Sequence, residues 1–155
     1  MTGDLTHLDA QGAARMVDIG DKTPTRRTAR ATGRVQMAPE TLARILDGAT
    51  PKGDVIAAAR LAGIMAAKRT DELIPLCHSL PIDAVSLEFK PAEAALLVEA
   101  IVSTTAKTGV EMEALVAVSA ACLTIYDMCK AIDRLMRIDA IQLEEKRGGV
   151  HGDFV

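Results

Sequence analysis

Residues 114–126, ALVAVSAACLTIY, are apolar or small at nearly every position, and this run constrains the fold more than any other feature of the sequence. It lies within a helical pattern that covers 109–135. A helix that is hydrophobic on all sides is normally covered on all sides, and one sheet face covers only part of it. We therefore expect this helix to lie on a sheet and the chain to form a homo-oligomer through helix contacts.

Strand and helix patterns alternate on both sides of this run. The predicted strands cover 28–37, 81–90, 94–107 and 136–146, and the predicted helices cover 39–47, 52–69 and 109–135. Without the short helix at 39–47, the order is β-α-β-β-α-β, which is typical of a ferredoxin-like α+β sandwich, an antiparallel sheet with helices on one face. The 155 residues fit one domain. Residues 1–20 and 147–155 are expected to be flexible, because chain ends without periodicity order only against something else.

Composition narrows the classes of partner. A net charge of -3 at pH 7 argues against indiscriminate nucleic-acid binding, and one tyrosine with two phenylalanines leaves little for stacking on bases. We expect neither a secretory signal nor a membrane span, because no apolar run approaches the ~18 residues that a span needs. The three cysteines are an odd number without CxxC spacing. They indicate a reducing, cytoplasmic setting and not a disulfide framework.

Residues 75–81, PLCHSLP, place a cysteine beside a histidine between two prolines. Adjacent side chains of an extended segment point to opposite faces, so Cys77 and His78 are not expected to share a metal ion or to act as nucleophile and base. Cys122 and Cys129 lie two helical turns apart, too far for one tetrahedral zinc ion, and we expect no metal site. Cys77 fits a small buried hydrophobe. For His78 two interpretations stay open: an acid, base or donor to an anion, or a ring held by local hydrogen bonds.

The long predicted helix opens with KTGVEME at residues 107–113. Thr108 and Glu111 match a capping box, which gives Glu111 a purely structural explanation. Glu113 has no such explanation beyond the preference of a helix dipole for acids in the first turn. Glu113 and Asp127 lie about 40° apart around the helix but about 21 Å apart along it. A site that contains both therefore needs a long ligand or two chains.

Asp127 and Lys130, in YDMCK, share one helix face because they are three residues apart. They fit a surface ion pair, or an acid–base pair whose lysine is poised by its neighbours, and the pattern leaves both open. Lys52 precedes a predicted helix, and the basic segment DKTPTRRTAR upstream would suit phosphates. The chain has neither a P-loop nor a GxGxxG motif. The local chemistry predicts a small-molecule site for an anion and goes no further.

The motifs belong to longer strings: KRTDELIPLCHSL, KTGVEMEAL, LTIYDMCKAID, KGDVIAAARLAGIMAAKRT and MVDIGDKTPTRRTARA. These strings resemble the MoaC family of cyclic pyranopterin monophosphate synthases, and the likeness runs from about Leu5 to Phe154. LIPLCH and TGVEMEAL, in this order and at this distance, are very specific. The resemblance implies a ferredoxin-like subunit, a homohexamer arranged as a trimer of dimers, and active sites between subunits.

The resemblance also implies a reaction of molybdenum cofactor biosynthesis. A lyase of this family converts (8S)-3′,8-cyclo-7,8-dihydroguanosine 5′-triphosphate into cyclic pyranopterin monophosphate and diphosphate. Opening and reclosing the ring needs repeated proton transfers, and loss of diphosphate needs fixed positive charge. No cofactor is implied, and Mg²⁺ that arrives with the triphosphate stays open.

The family's motifs assign roles position by position. By resemblance, the active-site aspartate is Asp127 and the catalytic lysines are Lys130 and Lys52. The substrate-binding positions are Leu76, Cys77, His78, Met112 and Glu113, and the basic positions expected to face the triphosphate are Arg27 and Arg30. Ser79 stands where the family usually has proline, and Val150 and His151 stand where it commonly has lysine and serine. If the tail closes over phosphate, we expect His151 to replace only part of that contact.

Two other functions stay open from the residues alone. One is a regulatory ligand-binding module, because ferredoxin-like subunits often bind small effectors at interfaces without turnover. The other is a structural helper in cofactor assembly that acts only with a partner. Asp127, Lys130 and Lys52 distinguish these functions from catalysis, because a binding protein does not require such an acid–base set.

Overall fold

The computed structural model of the chain describes residues 6–155. Its elements, in chain order, are β1 (Thr25–Gln36), α1 (Pro39–Leu46), α2 (Val55–Ala67), α3 (Thr70–Leu73), β2 (Ile82–Ala92), β3 (Ala95–Ala106), α4 (Glu111–Cys129) and β4 (Arg137–Arg147). Every predicted strand and helix is present, and the four-residue α3 is an addition. Helix α4 ends at Cys129 and not at residue 135, because Asp133 turns away to α1, where its carboxylate accepts from Ala38 N and Thr41 Oγ1.

The four strands form one antiparallel sheet in the order β2-β3-β1-β4. This order and these directions are those of a ferredoxin-like sandwich, so the predicted α+β class is confirmed. Burial alternates along β1 because successive side chains point to opposite faces and helices cover only one of them. Ala29, Ala31 and Val35 lie on the covered face and are fully buried.

Helix α4 lies at the centre of the core. It packs on β1, β3 and β4 on one side and on α2 on another. Two glycines allow this close approach, one on β1 and one on α2. A Cβ on Gly33 would lie 2.6 Å from Val118 Cγ1, and a Cβ on Gly63 would lie 3.0 Å from the carbonyl oxygen of Ala117. Small residues therefore set the distance between the helices and the sheet.

Part of the helical layer stays uncovered in the single chain. Leu123 on α4 and Leu61 and Met65 on α2 are about half or more exposed. The chain therefore does not itself complete the all-round cover expected for residues 114–126.

Helix α4 has the length and the apolar composition of a membrane span, the only helix among residues 6–155 that does. However, 56% of that stretch is buried inside the fold. The core helix of a folded domain has the same length and composition, and the packing of α4 on the sheet accounts for its apolar character without a bilayer.

The predicted capping box at the start of α4 is wrong. The N-cap position is held by Val110 and not by Thr108. Glu111 instead forms an ion pair with Lys146 on β4. Glu111 therefore has a structural role through a charge-assisted contact between α4 and β4, and not through a local helix cap.

Both ends of the described chain carry local pairing. Leu8 and Ala14 form an isolated bridge, as do Lys146 and Phe154. The predicted flexibility of residues 1–20 and 147–155 stays a prediction, and residues 1–5 lie outside the described part.

Candidate active site

Lys52, Asp127 and Lys130 come together on the surface of one chain. Lys52 Nζ lies 2.9 Å from Asp127 Oδ2, and Lys130 Nζ lies 3.0 Å from Asp127 Oδ1. The hydrogen bonds from Lys52 and Lys130 lower the pKa of the Asp127 carboxyl below its ordinary value, and the one from Lys52 contributes most. All three side chains are about half exposed, so a ligand can reach them from solvent. We call these residues the lysine–aspartate cluster.

Two helix ends position the lysine–aspartate cluster. Asp127 lies in the last turn of α4, and Lys130 is its C-cap residue. Lys52 lies in the turn before α2, where Gly53 has φ +95°, a conformation that favours glycine. The Asp54 side chain then caps α2. The contact between Lys52 and Asp127 shows that the start of α2 meets the end of α4.

A cavity of about 430 Å³ lies at the opposite end of α4. Its walls come from the N-terminal segment, the loop after α3 and the start of α4. We call it the α4 cavity. All five predicted substrate-binding residues of these segments line it: Leu76, Cys77, His78, Met112 and Glu113. The structure therefore brings the PLCH and GVEME motifs to one place.

Adjacent Cys77 and His78 line the same cavity, although the sequence predicted that they point to opposite faces. That prediction assumed a plain extended segment. The chain instead turns ahead of His78, where the Cys77 N–H donates to the carbonyl oxygen of Ile74 at 3.1 Å. The opposite-face argument therefore does not apply to this loop.

Burial sets the charge states inside the α4 cavity. Glu113 is only 4% exposed. Burial, opposed by a backbone hydrogen bond and reinforced by the charges of Glu111 and Asp71, raises the pKa of Glu113 to about 6. Burial, with the nearby charge of Glu113, also raises the pKa of the Cys77 thiol. Cys77 therefore stays a protonated donor and is not a thiolate nucleophile.

Arg27 is buried beside the start of α4. Its Nε donates to the carbonyl oxygen of Ala106 at 3.1 Å, and its Nη2 donates to that of Lys107 at 3.3 Å. A Cβ on Gly149 would collide with Nη1 of Arg27, and Gly149 has φ +91°, so this tail position requires glycine. The next residue after Lys107, Thr108, lines the α4 cavity. Arg27 therefore brings a positive charge close to the cavity.

Arg30 lies on the other face of the sheet, because three residues along a strand change the side on which a side chain lies. Its Nη1 is 3.1 Å from Glu99 Oε2, and its Nε is 3.7 Å from Glu145 Oε2. The single chain does not bring Arg30 to the α4 cavity or to the lysine–aspartate cluster. Its contact with a triphosphate stays a prediction.

Apart from Arg30, the predicted site residues thus fall into two groups at the two ends of α4. The helical rise places Glu113 and Asp127 about 21 Å apart along the axis. No group of three or more His, Cys, Asp or Glu side chains in residues 6–155 is placed to hold a metal ion. The side chains of the two groups include acids, bases and fixed charges, which suit acid–base and electrostatic chemistry.

Among the cavity residues that the sequence did not predict as binding positions are Val17, Ile19 and Lys22 of the N-terminal segment. The N-terminal segment was interpreted as aperiodic. The signal that could have found Val17 and Ile19 is their two-residue spacing, which is the period of an extended chain with one covered side.

Comparison with known proteins identifies one family. The model of the MoaC family matches residues 16–149. A protein of Chloroflexus aurantiacus named cyclic pyranopterin monophosphate synthase is 64% identical over 153 residues, which cover 97% of this chain and 94% of that protein. A protein of the same name from Roseiflexus sp. is 60% identical over 154 residues, 98% of each chain. Cyclic pyranopterin monophosphate synthase 3 of Mycobacterium tuberculosis is 60% identical over 153 residues, 98% of this chain and 86% of that protein.

Proposed function

The chain belongs to the MoaC family and is a lyase of molybdenum cofactor biosynthesis, and on that premise we propose that two chains share each of its active sites. The reaction converts (8S)-3′,8-cyclo-7,8-dihydroguanosine 5′-triphosphate into cyclic pyranopterin monophosphate and diphosphate. The observation that carries the catalytic assignment is the placement of Lys52 and Lys130 on either side of Asp127, and the observation that carries the sharing is the distance between this cluster and the α4 cavity. A regulatory module or a structural helper has no need of this arrangement.

The lysine–aspartate cluster transfers the protons. The lowered pKa of Asp127 keeps its carboxylate ionised at neutral pH, where it holds the ammonium groups of Lys52 and Lys130 in place as proton donors. The same ammonium groups of Lys52 and Lys130 stabilise the negative charge that builds up as diphosphate leaves. Fixed side-chain charge thus supplies what the leaving group requires.

The α4 cavity binds the ring of the substrate. Its volume lies within the range of small-molecule sites. Leu76 and Met112 offer apolar surface to a flat ring, and the Cys77 thiol is a hydrogen-bond donor. Because the pKa of Glu113 is about 6, its carboxyl group can accept or donate a proton near neutral pH. Arg27 at the edge supplies charge toward the triphosphate.

A second chain completes the site, because the two groups are too far apart to act on one reacting atom. The exposed apolar residues Leu123, Leu61 and Met65 lie on the helices that join the two groups. A two-fold contact through this face sets the start of one α4 beside the end of its partner. We propose that such dimers assemble into a homohexamer, a trimer of dimers.

The free thiols support a proposal for the compartment. Cys77, Cys122 and Cys129 are free, as expected of a protein that works in a reducing environment. We propose that the enzyme acts in the cytoplasm on a small nucleotide-derived substrate, with no nucleic acid or membrane as partner.

The test supplies the purified protein with the cyclic dihydroguanosine triphosphate. Diphosphate release and the fluorescence of the oxidised pterin are measured in the same samples. We expect both products in a constant ratio. Failure to form either product, or diphosphate release without a pterin, would contradict the proposal.

A further inference from the structure

Residues 16–20 contribute to the wall of the α4 cavity, and no strand among residues 6–155 pairs with them. Val17 and Ile19 line the cavity, and the residues between and beside them are exposed. The two-residue alternation is that of an extended backbone with one buried side. The segment therefore forms a wall of the cavity without the hydrogen-bond ladder that normally holds such a backbone.

Two side chains hold the main chain of the 16–20 segment. His78 Nε2 lies 2.6 Å from the carbonyl oxygen of Val17, and Lys107 Nζ donates to the carbonyl oxygen of Gly20 at 2.8 Å. A carbonyl oxygen only accepts, so Nε2 of His78 carries the hydrogen in this contact. Side-chain donors have thus replaced the missing strand partner.

The loop that carries His78 is fixed on both sides of it. The Cys77 N–H donates to the carbonyl oxygen of Ile74, and Thr104 Oγ1 donates to that of Pro81. With its backbone held, the freedom left to His78 is rotation of the ring about its side-chain bonds. The Val17 carbonyl removes that freedom.

We propose that residues 16–20 are a positioning segment for His78. The carbonyl oxygen of Val17 holds Nε2–H and so leaves Nδ1 as the ring nitrogen that contacts a ligand in the α4 cavity. The same hydrogen bond keeps Val17 and Ile19 in place as the cavity wall. The identity of the ligand as substrate rests on the proposed function, whereas the coupling of His78 to the segment does not.

Two substitutions of His78 test the roles of its two ring nitrogens separately. The amide nitrogen of glutamine in His78→Gln reaches about as far as Nε2 and can still donate to the Val17 carbonyl. The shorter amide in His78→Asn reaches only about as far as Nδ1 and cannot. The first variant therefore keeps the contact with the segment, and the second keeps a polar group toward the cavity.

Methyl NMR of the full chain without substrate tests the coupling, with Ile19 as the reporter and buried Ile125 as the control. We expect Ile19 to be equally ordered in the wild type and His78→Gln. In His78→Asn we expect the fraction of molecules in which the 16–20 segment has left the cavity wall to rise about fivefold to tenfold, because one hydrogen bond is lost. Ile125 stays unchanged in all three proteins. An Ile19 that is as ordered in His78→Asn as in the wild type, or as mobile in His78→Gln as in His78→Asn, overturns the proposal.

Kinetic measurements on the same variants distinguish a failure of this proposal from a failure of the proposed function. His78→Gln lacks a group at Nδ1, and we expect a lower kcat/KM although Ile19 stays ordered. His78→Asn is expected mainly to raise KM, because the cavity wall is loose. A wild type that forms no pterin defeats the proposed function and leaves the NMR result to decide on the segment. Normal KM in His78→Asn together with a mobile Ile19 would show that the segment does not position the ligand, and this also overturns the proposal.

Discussion

Two ammonium groups lie within hydrogen-bonding distance of the Asp127 carboxylate, one from the turn before α2 and one from the C-cap of α4. A surface ion pair between exposed side chains contributes little to stability, typically below about 1 kcal/mol. Removing a lysine from this cluster should therefore leave the fold intact. What such a substitution changes is the supply of protons and positive charge to a ligand.

The first prediction concerns these lysines. Lys52→Ala and Lys130→Ala should each lower kcat by about 10²-fold to 10⁴-fold, the usual contribution of one positioned acid or base, while the assembly is kept. The measurement is diphosphate release with pterin fluorescence, and sedimentation checks the assembly. Lys90→Ala, which removes an exposed lysine of β2 outside both groups, is the matched control and should retain activity. Near-normal turnover in both cluster variants would defeat the catalytic assignment.

The second prediction concerns Glu113, whose pKa in the folded chain is about 6 against an ordinary value of 4.5. The folded state binds this proton more tightly than the unfolded state, so the free energy of unfolding falls as the pH rises from 4.5 through 6. Above pH 6 the folded state holds Glu113 as a buried, ionised carboxylate, which costs free energy. Glu113→Gln should therefore stabilise the protein by about 1 kcal/mol at pH 7 and by less at pH 4.5, after allowance for solvent screening.

Thermal unfolding at several pH values and one fixed protein concentration measures this difference. The gain in Tm of Glu113→Gln over the wild type should grow between pH 4.5 and pH 7, while turnover falls. A gain that is constant with pH, or a loss at pH 7, would show that burial does not penalise the carboxylate.

At the scale of the elements, local patterns predicted every strand and every helix except the four-residue α3, but not the contacts between them. Pro39 and the helical periodicity of 52–69 predicted the starts of α1 and α2, because these signals act within one helical turn. The cap of α4 was mispredicted because the partner of Glu111, Lys146, is distant in sequence. The end of α4 was missed because Asp133 is drawn to the start of α1. Tertiary contacts override local preference at such positions.

The third prediction concerns the contact between α2 and α4 at Gly63. An alanine in place of glycine normally stabilises a helix by about 1 kcal/mol. Here a Cβ would lie 2.5 Å from Leu87 Cδ2 and 3.0 Å from the carbonyl oxygen of Ala117, so one helix would have to move. Gly63→Ala should instead destabilise the protein by about 1–3 kcal/mol through overpacking.

Urea unfolding measures the effect of Gly63→Ala as a lower midpoint. The control is Ala57→Gly at an exposed position of the same helix, which should lose about 1 kcal/mol through helix propensity alone. A midpoint for Gly63→Ala above that of the wild type would mean that the helices are not in close contact at this point.

At the scale of the whole molecule, the motifs predicted candidate site residues, but the pattern could not show which of them meet within one chain. Lys52 and Asp127 are distant in sequence and pair because the start of α2 lies at the end of α4. His78 and Glu113 meet at the other end because the loop after α3 returns there. The separation of the two groups follows from helix geometry alone and was predictable.

The fourth prediction concerns the uncovered helical face. The wild type should sediment as an assembly larger than a monomer at micromolar concentration, because this face is apolar. Leu123→Glu places a charge on it and should shift the protein to smaller species and lower activity. Leu46→Glu, at an exposed leucine on α1, is the matched control and should leave the assembly unchanged. A wild type that is only monomeric would count against the shared site.

The central claim is that the lysine–aspartate cluster of one chain acts with the α4 cavity of another, and mixing two inactive variants tests it most directly. Lys130→Ala damages one group, and Glu113→Ala damages the other. In a mixed dimer one of the two sites contains both damaged groups and the other contains neither. Lys52→Ala mixed with Lys130→Ala is the control, because both changes affect the same group and no intact site can form.

Each pair of variants is unfolded, mixed in equal amounts and refolded together, and pterin formation is compared with the wild type. Random pairing makes half of the dimers mixed with one intact site in each, so Lys130→Ala with Glu113→Ala should recover about a quarter of the wild-type activity. The control mixture should recover none. Assembly of the mixed protein without any gain over its two parents would contradict a site shared between chains.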